Sequence, residues 1–337
     1  MKAARLYGIQ DIRVEEVSLP AQPDNDEVQL KVLAAGICGS DLHNFKTGQW
    51  FANLPVTPGH EFCAEVISVG KNVRFFQPGD WVAADSRANC GECDFCKAGR
   101  GNLCRSMGFV GEVCDGGFAE YALLPEKRLR MLSKEIAPEI SVLSEPLGVA
   151  LRVIKQLNAP EGATVAVTGG GTIGGLVTLL LREVFHHPVI LFEKNESRKT
   201  LLRQSTDFMD GVFDRDALKA ISGQPDICYW AEATGSGAVL QSIVELAGNG
   251  SRIALVGLFH GDVTLNVNRL VEAEIQIVGS SVFCDEQQEA IRLLPQIADK
   301  LKPLVSIPVS IDEIPAAYQR LCEGKVTELK TVIKPGV

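Results

Sequence analysis

The chain has 337 residues, enough for two domains with cores of their own, and its 46% hydrophobic and 22% charged residues are those of an ordinary globular protein. A net charge of −9 excludes nucleic acid as a main partner, because phosphate binding needs a concentrated basic surface. The longest candidate for a span, Leu176–Leu181, falls far short of the ~20 residues that cross a bilayer, and Met1–Arg5 leads into no export signal. A cytoplasmic, reducing location with no membrane partner is therefore expected, where clustered cysteines bind metal more often than they form disulfides.

In chain order, the first ~140 residues read as β-rich. Val28–Val32 and Ala64–Val69 alternate or nearly alternate, and turn signals such as Gln77-Pro78-Gly79-Asp80 punctuate them. Two short segments here carry metal-ligand residue types, Gly36-Ile37-Cys38-Gly39-Ser40-Asp41-Leu42-His43 and Pro58-Gly59-His60-Glu61. Singly, each has a plain structural reading: a buried cysteine, a satisfied core histidine, a turn capped by Ser40 or Asp41. Next come Cys90, Cys93, Cys96 and Cys104, spaced C-x2-C-x2-C-x7-C. Four thiolates this close can enclose a structural Zn²⁺ in a closed tetrahedron, with Lys97, Arg100 and Arg105 offsetting their charge. An iron–sulfur cluster is the rival reading. Cys63, Cys114, Cys228, Cys284 and Cys322 have no spacing logic and read as small apolar residues.

Near Glu161 the texture changes. Thr164–Val167, Val189–Phe192, Asp226–Trp230, Arg252–Val256 and Ile275–Val278 read as strands alternating with helical stretches, which means a parallel, doubly wound sheet. Gly169-Gly170-Gly171-Thr172-Ile173-Gly174 satisfies G-x-G-x-x-G between a strand and a helix, and Glu193 follows Gly169 by 24 positions. That is close to the spacing of a dinucleotide fingerprint, although a glycine-rich structural turn would look similar. Gly169 permits the tight turn, Gly171 the approach of a pyrophosphate and Gly174 the close packing of helix on strand, while the helix N-terminus attracts phosphate. Glu193 can accept hydrogen bonds from ribose hydroxyls and favours NAD over NADP, a preference that Lys194 and Arg198 blur. His186–His187 reads as surface. From Phe283 onward a helix over Glu286–Leu301 mixes with short strands expected to pack back on the first domain.

Six motifs occur together: G-I-C-G-S-D-L-H at 36–43, G-H-E at 59–61, the four-cysteine loop at 90–104, D-G-G-F-A-E-Y at 115–121, S-E-P-L at 144–147 and G-G-G-T-I-G at 169–174. In order and approximate spacing the chain resembles the medium-chain, zinc-containing alcohol dehydrogenase family. S-E-P-L resembles its polyol and sorbitol-type branch, with the butanediol, threonine and sugar-acid dehydrogenases. The resemblance implies an α/β chain of two domains: a GroES-like catalytic domain over 1–145, a Rossmann dinucleotide-binding domain over 146–280, and a return of 281–337 to the catalytic domain. It also implies two zinc ions, a nicotinamide cofactor, an alcohol or polyol substrate and a homodimer or homotetramer.

By the same resemblance, Cys38 and His60 are ligands of a catalytic zinc, with either Glu61 or Glu145 as the third and the other carboxylate on the zinc water. Asp41 orients His60. Ser40 takes the proton of the substrate hydroxyl and passes it through the nicotinamide ribose to His43. Thr234, Val256, Gly257 and Ser280 approach the cofactor. One departure stands out. Sorbitol-type members often carry an aromatic–arginine pair just past Gly279, where this chain reads Ser280-Ser281-Val282-Phe283. That widens the expected substrates toward smaller diols, sugar acids or threonine. A non-catalytic zinc and NAD-binding redox sensor is the alternative from another class.

Overall fold

A computed structural model describes residues 1–325 and 328–336. In chain order the elements are β1 (Lys2–Gly8), β2 (Asp11–Glu16), β3 (Glu27–Gly36), α1 (Gly39–Thr47), β4 (Glu61–Val69), β5 (Trp81–Ala84), α2 (Asp94–Lys97), β6 (Tyr121–Pro125), β7 (Leu129–Met131), α3 (Pro138–Ser141) and α4 (Ser144–Leu157). There follow β8 (Val165–Thr168), α5 (Thr172–Glu183), β9 (Val189–Phe192), α6 (Glu196–Arg203), β10 (Met209–Asp210), α7 (Arg215–Ser222), β11 (Ile227–Glu232), α8 (Gly237–Leu246) and β12 (Ala247–Leu255). The last are α9 (Val267–Glu272), β13 (Gln276–Gly279), α10 (Glu286–Leu301), β14 (Val309–Ser310), α11 (Ile314–Cys322) and β15 (Val332–Lys334).

The chain divides into two compact units. The first takes Met1–Glu145, Gln287–Ala298 and the residues from Val305 on, and the second takes Pro146–Glu286 and Asp299–Leu304. In the first, a seven-stranded sheet runs β14-β15-β3-β4-β5-β7, with β6 also paired to β3. Alternation in β3 turns Val28, Leu30 and Val32 inward, where they meet Phe62, Val66 and Val82. Tyr318 and Ile333 complete the same core from the far end of the sequence. Each large apolar side chain so buried contributes about 1.5–3 kcal/mol, so the late segments are part of this unit's stability and not an appendage. The second chain crossing is less tidy than a single return at 281. Glu286 is held in the second unit by Arg152 at 3.4 Å and Lys155 at 3.5 Å, and the next residue, Gln287, donates to the Ala84 carbonyl of the first.

The second unit is a six-stranded sheet in the order β10-β9-β8-β11-β12-β13, with every pair parallel. Strands β8 and β9 are buried along their whole length, as strands covered on two faces must be, which explains their continuous apolar runs. The run Leu176–Leu181 is buried all round in α5, and among the described residues no helix is long and apolar enough to cross a membrane. Strand order reverses between β8 and β11, the place where open α/β sheets bind ligands. Gly169 ends β8 with φ of 91°, and a Cβ on Gly174 would stand 1.8 Å from the Gly169 carbonyl oxygen. The surface expectation for His187 is corrected here. Its ring is buried, with Nδ1 at 3.0 Å from the Ala163 carbonyl, which satisfies a polar group that water would otherwise have to reach.

Gly174→Ala is expected to lower the thermal unfolding midpoint by several degrees, corresponding to about 2 kcal/mol of overpacking strain. An unchanged midpoint in a melting experiment would refute the close packing of α5 on the β8 turn.

Candidate functional site

The first group is built around the N-terminus of α1. Cys38 caps that helix, and its backbone N–H donates to Oδ2 of Asp41 at 2.8 Å. The other Asp41 oxygen lies 3.3 Å from Nδ1 of the buried His60. One carboxylate thus fixes both the helix cap and the imidazole, as an orienting partner of a metal-bound histidine does. Glu61 opens β4 directly opposite Gly36 at the end of β3. Its side chain is 1% exposed, and Nζ of Lys330, 2% exposed, donates to its two oxygens at 2.7 and 2.6 Å and to the Ile37 carbonyl at 3.1 Å. Cys38, His60 and Glu61 each place a ligand atom within 4.8 Å of the others. Tetrahedral zinc bonds hold such atoms roughly 3.3–3.8 Å apart, so the group fits a zinc ion with a small closure.

Glu145, the second residue of α4, stands outside that group. It is buried and accepts the Ser86 hydroxyl at 2.7 Å. Burial, reinforced by the charge of Glu61, pushes its carboxyl up to about 7. Burial opposes protonation of His60, but Asp41 and Cys38 outweigh it and raise the imidazole above its ordinary range. Ser40 and His43 lie three residues apart in α1, on one side of the helix. The His43 Nε2 lies 2.6 Å from Oε1 of Gln49, and its ring packs 4.7 Å from that of Trp50.

The four cysteines also converge, with their sulfurs within 4.8 Å of one another. Cys90 and Cys96 are 4.0 Å apart, and Cys90 and Cys104 are 3.5 Å apart. Backbone N–H groups point at them: Cys90 at the Cys104 sulfur (3.3 Å), Cys93 at the Cys90 sulfur and Ser106 at the Cys104 sulfur, each 3.4 Å. The N–H groups of Arg105 and Cys96 lower the Cys93 thiol to about 6, whereas burial pushes Cys96 up to about 12. Thiolates surrounded by donors at these separations suit a closed tetrathiolate zinc site. All ten cysteines are free, and the buried Cys63, pushed up to about 12 by burial, behaves as an inert apolar residue.

In the second unit, Gly171 begins α5 without a side-chain cap, and a Cβ added there would meet nothing. Thr172 and Ile173 form the first turn, whose N-terminal backbone carries the partial positive charge that suits an anion. Glu193 is pinned beside the loop, Oε2 accepting the Gly170 N–H at 2.7 Å and Oε1 the Asn195 N–H at 2.8 Å. The Arg198 guanidinium stands 3.6 Å from it, and Lys194 is exposed. Thr234 is held by the wholly buried Glu232 through its hydroxyl and its N–H. The Val256 and Gly257 N–H groups donate to the Glu232 carbonyl, and the Ser280 N–H to that of Leu255. The Ser280 hydroxyl is buried without a hydrogen-bond partner among the described residues, as a group awaiting a ligand would be. These residues lie at the ends of β11, β12 and β13 and fit a bound dinucleotide.

Sequence reasoning missed Lys330, Ser86, Gln49 and Glu112. Glu112 is half-buried, and burial pushes its carboxyl up to about 7 within the field of His60 and Asp41. Nothing in the local patterns marks these residues, since the groups they face lie far away in sequence or across a turn.

Comparison with known proteins follows the same division. The family model described as alcohol dehydrogenase GroES-like domain matches residues 24–134, and that described as zinc-binding dehydrogenase matches residues 172–297. The chain is 29% identical to sorbitol dehydrogenase of Bacillus subtilis strain 168, over 99% of this chain and 97% of that one. It is 33% identical to L-threonine 3-dehydrogenase of Pyrococcus furiosus, over 80% and 78%. Its fold is similar to that of a Sinorhizobium meliloti 1021 protein, assigned as a zinc-binding dehydrogenase and solved with NADP. The TM-score is 0.91 and the identity 30%, with 99% of each chain covered.

Lys330→Met is expected to destabilise the zinc-free protein by about 3 kcal/mol, because it leaves Glu61 buried and unpaired. The loss should be smaller in zinc-loaded protein, where the metal supplies the missing positive charge. Denaturant unfolding with and without zinc checks this, and equal losses would refute the shared role of Glu61.

Proposed function

The chain belongs to the medium-chain, zinc-dependent alcohol dehydrogenase family, and from that premise we propose that it moves a hydride between a secondary alcohol and NAD(H). The substrate class is a polyol, sugar alcohol or sugar acid. The convergence of Cys38, His60 and Glu61 on one point carries this reading. Two zinc ions per chain are proposed, one held by Cys38, His60 and Glu61 and one by Cys90, Cys93, Cys96 and Cys104. A zinc ion at the first site supplies Lewis acidity, which lowers the pKa of an alcohol toward neutrality.

The side chains have separate tasks. Cys38 and His60 bind the metal, and Asp41 keeps the imidazole turned toward it. Glu61 is the third ligand, because it alone of the two candidate carboxylates joins the group. Glu145, tied to Ser86, offers a buried carboxyl beside it that holds or yields a proton near neutral pH. Ser40 receives the proton of the substrate hydroxyl, and His43, steadied by Gln49, passes it on to solvent. The glycine loop and the first turn of α5 hold the pyrophosphate, and Thr234, Val256, Gly257 and Ser280 position the rest of the cofactor. Glu193 takes the adenosine ribose hydroxyls and favours NAD, since a 2′-phosphate would meet its fixed carboxylate. Arg198 makes NADP the second choice.

A threonine- or 2,3-butanediol-type substrate is the second reading, favoured by the 33% identity to L-threonine 3-dehydrogenase. A dimer or tetramer in the cytoplasm is the proposed working form.

Metal analysis is expected to give two zinc ions per chain, and reduced-cofactor absorbance should rise with at least one of a panel of polyols, diols, sugar acids and threonine. Cys38→Ala should abolish turnover and leave the fold intact, while Cys93→Ala should lower stability. One zinc ion or none would sink the two-site account. Glu193→Ala should weaken the preference for NAD over NADP about tenfold, the worth of one good hydrogen bond to a charged group. An unchanged ratio would remove Glu193 from cofactor selection.

A further inference from the structure

The loop that follows the four cysteines is fastened to the segment carrying His60. The Gly116 and Gly117 N–H groups donate to the Thr57 and Gly59 carbonyls at 2.7 Å, and that of Phe118 to Pro58 at 3.0 Å. Gly111 comes so close that a Cβ there would stand 2.9 Å from the Gly59 nitrogen. The Glu112 and Val113 N–H groups both donate to the Phe109 carbonyl, at 3.1 and 3.0 Å, and close a turn. The Phe109 ring lies 6.4 Å from the His60 ring, centroid to centroid. Glu112 therefore sits in a closed turn, between Phe109, whose ring faces that of His60, and the loop fastened to the His60 segment.

Its carboxylate is half-buried and has no hydrogen-bond or ion-pair partner among the described residues. It shares an electric field with His60 and Asp41. A partly desolvated carboxylate without a donor is a costly feature, so a ligand that brings a donor suits it. The surroundings decide which kind of ligand. Cys38, Asp41, Glu61 and Glu145 are all acidic groups. Lys330 is the sole lysine or arginine bonded to any of them among the described residues, and Glu61 occupies it with two oxygens. No lysine or arginine bonded to these acids is left over to receive a substrate carboxylate or phosphate.

We propose that Glu112 is a specificity-determining residue: its carboxylate accepts a hydrogen bond from a second hydroxyl of a neutral polyol and repels substrates bearing a carboxylate or phosphate at that place. This rests on the dehydrogenase reading above and narrows its substrate class from polyols and sugar acids to neutral polyols and diols.

Three alcohols with one carbon skeleton separate the possibilities. In 1,2-propanediol, lactate and 2-propanol, the group beside the secondary carbinol is a hydroxymethyl, a carboxylate and a methyl. The measurement is kcat/KM for each, with zinc-loaded protein and NAD, in the parent, Glu112→Gln and Glu112→Ala. The parent should favour the diol over lactate at least 100-fold and over 2-propanol at least tenfold. Glu112→Ala should cut the diol to 2-propanol ratio at least tenfold, mainly through KM. Glu112→Gln, which keeps size and an acceptor but loses the charge, should narrow the diol to lactate ratio at least tenfold. Should the alanine variant fail to fold, the glutamine variant decides alone. Ratios that stay put in the variants, or a parent that oxidises 2-propanol or lactate as well as the diol, overturn the role of Glu112 and leave the dehydrogenase reading standing. A parent with two zinc ions that oxidises none of these and no polyol overturns the dehydrogenase reading itself.

Discussion

The buried pair of Glu61 and Lys330 is the interaction on which the first unit turns. An isolated carboxylate with 1% exposure would be prohibitively costly, so Glu61 can open β4 only because Lys330 meets it. The same ammonium holds the carbonyl of Ile37, the residue before Cys38. Three separate stretches of chain are thereby registered at one point, two of them next to proposed metal ligands. Buried ion pairs are weak sources of stability compared with apolar packing. Here the pair serves position: it fixes where the ends of β3 and β4 lie, and with them where Cys38 and His60 can meet.

The two metal-ligand groups are built in opposite ways. The four cysteines come from one short loop, and their backbone N–H groups supply much of what the sulfurs need. That group is legible by spacing, because local chain geometry does most of the work. Cys38, His60 and Glu61 come from a helix cap and the start of a strand, and converge through the sheet. Their residue types were legible, and so was the contact of Asp41 with His60, since Asp41 is local to the cap. Which of Glu61 and Glu145 stands with Cys38 and His60 was not, since it depends on the distance from β4 and α4 to one point in space.

The same distinction runs through the fold. Alternation in β3 and β4, the continuous apolar runs of β8 and β9 and the helix over 286–301 follow from periodicities of two, of buried parallel strands and of 3.6, and the structure places them where those periods put them. What periodicity cannot convey is the partner of a polar residue. Lys330 stands between Leu329 and Thr331, where a lysine would ordinarily reach for water, yet it is buried against a residue 269 positions earlier. His187 looks like one half of a surface pair, yet a carbonyl at Ala163 receives it. Glu112 sits in a turn rich in glycine, where a carboxylate is unremarkable until the segment beneath it proves to be the one carrying His60.

The split composition of the first unit bears on the order of events during synthesis. Glu61 leaves the ribosome 269 residues ahead of Lys330. At ~5–20 residues per second, that is on the order of 15–50 s. Throughout that interval the β3–β4 corner lacks its counter-charge and Ile333 of its core, and for nearly all of it Tyr318 as well. The strands of the second unit are meanwhile all made by residue 279. The nascent chain thus finishes its parallel sheet while the first unit is still open, and the segment that carries Tyr318, Lys330 and Ile333 closes it later.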